Sequence, residues 1–303
     1  MKIIITGASG FVGQNLQRHL EGRKHGTQQL SLRQENWTDH MEKEGLAIVH
    51  LAGKAHDTSN TSADDEYFKV NKDLTIKLYK EFLKSNIRDF FYFSSVKAVA
   101  DTVNGVLDEA IVGTPLTPYG KSKLEAERYL LSQTLPKGKR LFIVRPSMIH
   151  GPGNKGNLNL LYKVVEGGIP WPLASFYNLR SFLSIDNLNF LVEGMIGSEE
   201  LPSGVYNFAD DEALSTNELV ALISETLGKK PKLWSIPAGM IRMVVKIGDI
   251  LPLPLNSERL KKLTESYVVS NEKIKKGLGI EKLPLTAKEG LEKTIRSFEK
   301  GLN

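Results

Sequence analysis

Short apolar runs alternate with longer amphipathic stretches through the first half of the chain. Residues 2–6 and 47–51 predict strands, 29–33 a weaker one, and 10–21 a helix with Phe11, Val12, Leu16 and Leu20 at helical spacing. Residues 64–85 predict a long helix whose Tyr67, Val70, Leu74, Leu78 and Phe82 share one face. A strand over 89–94, a helix over 118–134 and a strand over 141–145 continue the alternation. Strands separated by helical crossovers predict an α/β fold, a doubly wound parallel sheet covered on both faces.

The pattern changes after residue 150. The Gly/Pro loop 151–156 reads as a hinge, and 157–167, 186–197, 215–228 and 237–250 are mostly helical, punctuated by prolines. The expected organisation is a sheet domain over 1–150 with part of 178–210, and a smaller helix-rich C-terminal substrate lobe over 151–177 and 211–303. The apolar stretch 239–251 is interrupted by Arg242, Lys246 and Asp249. It reads as a partly buried lobe helix, with membrane docking as the alternative.

Composition narrows the chemistry. The 303 residues contain no cysteine, which excludes disulfides, thiolate-bound zinc, iron–sulfur clusters and a cysteine nucleophile. Six histidines include no His-Glu-x-x-His pair, so no metal is expected. A net charge of +5 with only short basic clusters gives no footprint for nucleic acid. The apolar run at residues 3–5 leaves no space for a signal peptide, and no stretch of about 18 uncharged apolar residues occurs. A cytoplasmic protein without a membrane span is the expectation.

Residues 1–13, MKIIITGASGFVG, place Gly7, Gly10 and Gly13 between the first strand and the first helix. Gly7 permits a sharp turn, Gly10 lets the backbone approach a pyrophosphate, and Gly13 permits close helix–strand packing. The helix N-terminus offers free N–H groups to the phosphates. The spacing is Gly-x-x-Gly-x-x-Gly, in the strand–turn–helix context that dinucleotide binding requires. Arg33 stands near the end of the second strand, where an acid would hold the ribose 2′-hydroxyl of NAD. An arginine there tolerates the 2′-phosphate of NADP, while Glu35 could play the acid's part, so NAD or NADP stays open with Arg33 tilting towards NADP.

Downstream, Ser94 and Ser95 end a strand, and Tyr119 and Lys123 lie four residues apart on one face of a predicted helix. A phenol with a pKa near 10 is a poor base at neutral pH, and a neighbouring ammonium would favour the phenolate. A serine hydroxyl could then hydrogen-bond the substrate oxygen that exchanges the proton. Order and context carry this reading, because Tyr-x-x-x-Lys alone arises readily by chance in a lysine-rich chain.

Taken together, TGASGFVG (6–13), HLAGKAH (50–56), VNKDLT (70–75), FSSVKAV (93–99), PYGKSKLEAE (118–127), RPSMIHGPG (145–153) and LRSFLSIDNL (179–188) resemble the extended short-chain dehydrogenase/reductases of the nucleotide-sugar epimerase/dehydratase family. The resemblance runs nearly end to end and implies a Rossmann-type sheet. It implies Tyr119 as acid/base, Lys123 as its ribose-binding partner, and Ser95, with Ser94 beside it, as the serine of the triad. It assigns the dinucleotide to Gly7, Ser9, Gly10, Phe11, Val12, Gly13, Arg33, Leu51, Ala52, Gly53, Lys54, Asn71, Ser94, Tyr119, Lys123 and Pro146. Substrate contacts fall on Ser95, Asn157, Arg180 and Arg259, the arginines suiting diphosphate oxygens.

The departures are Ala98-Val99-Ala100 in place of Val-Tyr-Gly, Met148 where many epimerases carry an asparagine, and a reduced adenine frame near 36–39. A 4,6-dehydratase would need an Asp-Glu pair just after the catalytic serine, and Asp108-Glu109 lies elsewhere. Two activities remain nearly level: a 4-epimerase, resembling those that act on UDP-N-acetylated hexoses in surface polysaccharide pathways, and a 4-ketoreductase of a UDP-4-keto-6-deoxy sugar. A non-catalytic dinucleotide sensor is the reading from another class, disfavoured because Tyr119 and Lys123 are both retained. The resemblance implies a homodimer across the helices near 64–85 and 118–134, whose few outward apolar residues leave a monomer open.

Overall fold

A computed structural model describes residues 2–54, 64–154, 157–250 and 256–300. In chain order its strands are β1 (Lys2–Thr6), β2 (Gly26–Leu30), β3 (Ala47–His50), β4 (Asp89–Phe93), β5 (Val106–Leu107), β6 (Arg140–Pro146), β7 (Met148–His150), β8 (Arg180–Ser184), β9 (Gly204–Phe208), β10 (Ala213–Leu214) and β11 (Val268–Val269). Six form one sheet in the order β2-β1-β3-β4-β6-β9, and every neighbouring pair is parallel. This is the doubly wound α/β sheet that the alternating pattern predicts.

The central strands β1, β3, β4 and β6 are buried on both sides because helices cover both faces. Ile3 and Ile5 point into one core with Phe91, Phe142 and Leu188, while Ile4 points into the other with Tyr79, Phe82 and Phe90. A third core, built around Tyr162, Trp171, Phe182, Ile223 and Leu291, lies under the C-terminal helices.

Strand order reverses between β1 and β3, so the loops at their carboxyl ends diverge and leave a crevice. Both the glycine turn and residues 51–54 start there.

Three local expectations are corrected. The second strand ends at Leu30 and not at Arg33. Its partner β1 stops at Thr6, opposite Leu30, where the glycine turn begins, and nothing is left to pair with. The long helix runs as Asp64–Phe68, a π-helical turn Lys69–Asp73 and Leu74–Lys84. Two short sheets, β10-β8-β7 and β11-β5, join the helical segments of the second half, and β9 supplies a sixth strand that the sequence pattern does not announce.

Candidate active site

The cradle begins at Gly7, whose φ of +68° only a glycine adopts without strain. A Cβ on it would lie 2.6 Å from the amide nitrogen of Ala52, so the turn after β1 and the segment after β3 touch at the crevice. Gly10 N–H donates to the Gly7 carbonyl at 3.0 Å, closing the turn. The helix Phe11–Gly22 then starts with no side-chain cap, leaving its first amides available to an anion. Ser9 and Gly10 are exposed, and Phe11 and Val12 half-buried, beside this opening. A groove lined by Ala8, Ser9, Gln14, Gln17, Arg18, Glu21 and Gln29 runs along the outer side of the helix.

The helix Pro118–Leu131 starts on an ordered cap. Thr117 accepts from Gly120 N–H, and Pro118 at the first position presets φ, so Tyr119 stands in the first turn. Gly120 allows the helix to close on the turn Val96–Ala98, since a Cβ there would sit 2.4 Å from the Lys97 carbonyl oxygen. That approach joins two sites 24 residues apart in the chain: the Ser95 hydroxyl comes close enough to the Tyr119 phenol to act on its pKa. Ser95 also caps its own turn by accepting from Lys97 N–H at 3.2 Å. Burial raises the pKa of the Tyr119 phenol, the Ser95 hydroxyl pulls it down, and Tyr67, edge-on at 6.2 Å, pushes it up.

Lys123 lies one turn on and is buried. Its ammonium donates to the Phe93 carbonyl at 2.8 Å and sits 4.9 Å over the Tyr92 ring. Burial pushes its pKa down to about 8, opposed by the Glu127 carboxylate. A Cβ on Gly53 would come within 3.1 Å of this ammonium, so the backbone after β3 passes directly over it.

Asn71 ties these pieces together. It sits in the π-helical turn, where its carbonyl is released to accept from Thr75 Oγ1 at 2.7 Å and Tyr92 OH at 3.2 Å. Its side chain accepts from Lys54 N–H at 2.8 Å and donates to Ser122 Oγ at 3.1 Å, linking residues 51–54 to the helix Pro118–Leu131. Lys54 itself pairs with Glu66.

The residues fit a dinucleotide. The uncapped helix end suits a pyrophosphate, and the Ser94 Oγ is buried without a hydrogen-bond partner among the described residues. Pro146 is buried at the end of β6, next to Ser147, whose Oγ is likewise unpaired.

Other expected residues lie at varied distances from this centre. Arg33 is exposed in the turn that follows β2. Arg180 opens β8, donates to the Glu265 carbonyl at 3.2 Å and bridges to Tyr267. The Tyr267 hydroxyl in turn donates towards the Val96 and Ala100 carbonyls at 2.9 and 2.7 Å, so β8 is anchored to the Ser95 turn. The side chains of Asn157 and Arg259 lie outside the described residues. A separate cavity of about 620 Å³ in the C-terminal half is lined by Ser175, Phe176, Tyr177, Arg242 and Lys261 and does not include Tyr119. Glu109 accepts from Asn207 N–H at 2.7 Å, which secures it to β9.

Sequence reasoning missed the buried support of the site. His50 bridges Thr6 and Thr75 at 2.7 and 2.9 Å beneath the crevice, and Arg145 pairs with Glu127 behind Lys123. Glu127 was detectable as the residue one turn beyond Lys123 on the same face; its partner on β6 was not.

Comparison with known proteins follows the same lines. The profile of the NAD dependent epimerase/dehydratase family matches residues 3–170. A UDP-glucose 4-epimerase of Vibrio cholerae is 29% identical, over 98% of this chain and 95% of its own length. An N-acetyl-alpha-D-glucosaminyl-diphospho-ditrans,octacis-undecaprenol 4-epimerase of Escherichia coli O157:H7 is 26% identical, over 97% of this chain and 94% of its own. The solved structure of a UDP-N-acetylglucosamine 4-epimerase from Bacillus cereus superposes with a TM-score of 0.77 at 21% identity, covering 100% of this chain and 98% of that one, a likeness of fold.

Proposed function

The chain belongs to the NAD dependent epimerase/dehydratase family, and on that premise we propose that it is an NAD(P)-dependent nucleotide-sugar 4-epimerase, with Tyr119 as acid/base and a UDP-N-acetylated hexose as substrate. The observation that carries this reading is the approach of the Ser95 hydroxyl, which pulls the Tyr119 pKa down, to a phenol one helical turn from the buried Lys123 ammonium. Two relatives named as 4-epimerases, one of them acting on an N-acetylglucosaminyl compound, support the position of the reaction and the type of sugar.

The residues divide the work by their chemistry. Ser95 holds the C4 oxygen of the sugar in line with Tyr119. The phenolate of Tyr119 removes the proton from that oxygen, and the phenol returns it at the end. Lys123, still mostly protonated at neutral pH with a pKa of about 8, favours the phenolate by its charge. The nicotinamide dinucleotide, when bound, supplies the acceptor and donor of hydride. Gly7, Gly10 and Gly13 give its phosphates a close approach, and Asn71 holds residues 51–54 in place over Lys123. Arg180, at the start of β8, takes the diphosphate of the substrate, since a forked guanidinium suits phosphate oxygens. In the same assignment, residues 151–177 and 211–303 bind the nucleotide sugar.

The second reading is a 4-ketoreductase that releases its cofactor. The exposed Arg33, just beyond β2, favours it, because a free guanidinium there would receive the 2′-phosphate of NADPH. One experiment separates the two. The purified protein is analysed for retained dinucleotide and then offered UDP-N-acetylhexoses and a UDP-4-keto-6-deoxy sugar. Retained NAD with interconversion of C4 epimers is the expected result; stoichiometric oxidation of added NAD(P)H assigns the reductase instead. Neither reaction, with dinucleotide bound, would leave a non-catalytic dinucleotide sensor.

A further inference from the structure

The helix Ala238–Ile250 carries apolar side chains on two faces. Ile241 and Val245 are buried in the lobe core against its neighbours. Met240, Met243, Val244 and Ile247 stand on the other side, between 49% and 70% exposed. Their spacing of i, i+3, i+4, i+7 makes them a single stripe along the helix, pointing away from the protein. Trp234, just ahead of the helix, is 57% exposed, and Tyr177, which shares a cavity wall with Arg242 and Lys246, is 90% exposed.

The charges around the stripe are mostly positive. Arg242, Lys246 and Lys261 line that cavity, and among the described residues none of them has a carboxylate partner. The acid on the helix, Asp249, is engaged, accepting from Ser257 N–H at 2.8 Å and from its hydroxyl at 2.5 Å. Among the described residues no helix is long and apolar enough to cross a membrane. At 13 residues this one would extend only about 20 Å.

We infer that this face docks on an anionic lipid bilayer. Met240, Met243, Val244 and Ile247 enter the headgroup boundary together with Trp234, while Arg242, Lys246 and Lys261 meet lipid phosphates. An apolar stripe beside unpaired cations and flanking aromatic side chains is the pattern of a helix lying in the plane of a membrane surface. A second copy of the chain fits the same face less well. A two-fold contact would set the same three unpaired cations of each copy near one another. The inference does not depend on which sugar the enzyme takes.

The test is co-sedimentation of the full chain with vesicles of phosphatidylcholine containing phosphatidylglycerol, and with vesicles of phosphatidylcholine alone. Binding to the anionic vesicles, weakened by added salt, is expected. Met243→Asp with Ile247→Asp should lower the partition by roughly ten-fold or more. Arg242→Gln and Lys246→Gln should each lower it by roughly five-fold. The aspartate variants change only exposed positions, so an unaltered melting temperature is the control for folding. Failure of the wild type to sediment, or equal binding of wild type and variants, overturns the inference. So does light scattering in which the aspartate variants convert a dimer to a monomer, since the face would then belong to a second copy.

Discussion

Arg145 grips Glu127 side-on behind Lys123, with Nε 3.0 Å from Oε1 and both residues buried. Glu127 lies one helical turn beyond Lys123 and raises the pKa that burial lowers. The pair therefore supports the active site electrically as well as mechanically.

Removing one partner of such a pair leaves a buried charge uncompensated, which costs about 3–5 kcal/mol. Glu127→Gln should lower stability by an amount approaching that range, read by denaturant unfolding. It should also move the alkaline limb of the pH–rate profile, expected near 8 in the wild type, to lower pH, because Lys123 loses its proton more readily without the carboxylate. A destabilised variant with an unshifted limb would confine the pair to a structural role.

Tyr119→Phe removes the proton carrier and keeps the ring against Tyr67. Turnover should fall by roughly 10²–10⁴ with little change in dinucleotide affinity. Ser95→Ala should cost less, since it removes one hydrogen bond to the same oxygen. Undiminished turnover of the phenylalanine variant would take Tyr119 out of the mechanism.

His50 offers a pH test of the support beneath the crevice. Thr75 donates its hydroxyl proton to the Asn71 carbonyl, so it accepts from His50 Nε2–H, and His50 Nδ1 then accepts from Thr6. The ring is neutral, and burial together with the Lys123 charge pushes its pKa down to about 3. The unfolded chain binds this proton near pH 6.5 and the folded chain does not. Stability from this residue is thus complete above pH 6.5 and is lost as pH falls towards 3, on the order of 2 kcal/mol by pH 5. His50→Asn should be less stable at pH 7 and show a flatter loss between pH 6.5 and 4 in thermal melts. Parallel curves for the two proteins would refute the neutral-histidine assignment.

The glycine turn separates folding from binding. A Cβ on Gly13 would lie 2.4 Å from the Gly7 carbonyl oxygen, whereas one on Gly10 meets nothing closer than 3.3 Å. Gly13→Ala should lower the melting temperature sharply. Gly10→Ala should leave it within a few degrees, equivalent to less than about 1 kcal/mol, and weaken dinucleotide binding about ten-fold or more by standing where the pyrophosphate approaches. Unchanged affinity in Gly10→Ala, measured by calorimetry, would move the cradle elsewhere.

Arg33→Ala should reduce NADPH affinity more than NADH affinity if the guanidinium takes the 2′-phosphate, by roughly ten-fold in the ratio, the scale of one charge-assisted hydrogen bond. A preserved preference in fluorescence titration would free the cofactor choice from this residue.

Much of the architecture and the candidate site was legible in the chain order. Short apolar runs located β1, β3, β4 and β6, and the order glycine turn, strand-end serines, Tyr-x-x-x-Lys selected residues that the structure gathers at the Ser95 turn and the helix Pro118–Leu131. These signals are local: a strand buried on both faces must be apolar throughout, a phosphate cradle must lack Cβ atoms, and an acid/base helix must show both groups on one face. What lay outside reach was everything set by distant partners. β2 ends at Leu30 because β1 ends opposite it, and β9 is a sheet strand because β6 offers an open edge. The Glu127–Arg145 and His50–Thr75 pairs form only when separate elements close over a common core. The sequence by itself therefore determined which candidate groups stand together at the site, and tertiary structure decided their protonation, because burial and the neighbour across the fold, not position along the chain, govern the energy of a charge.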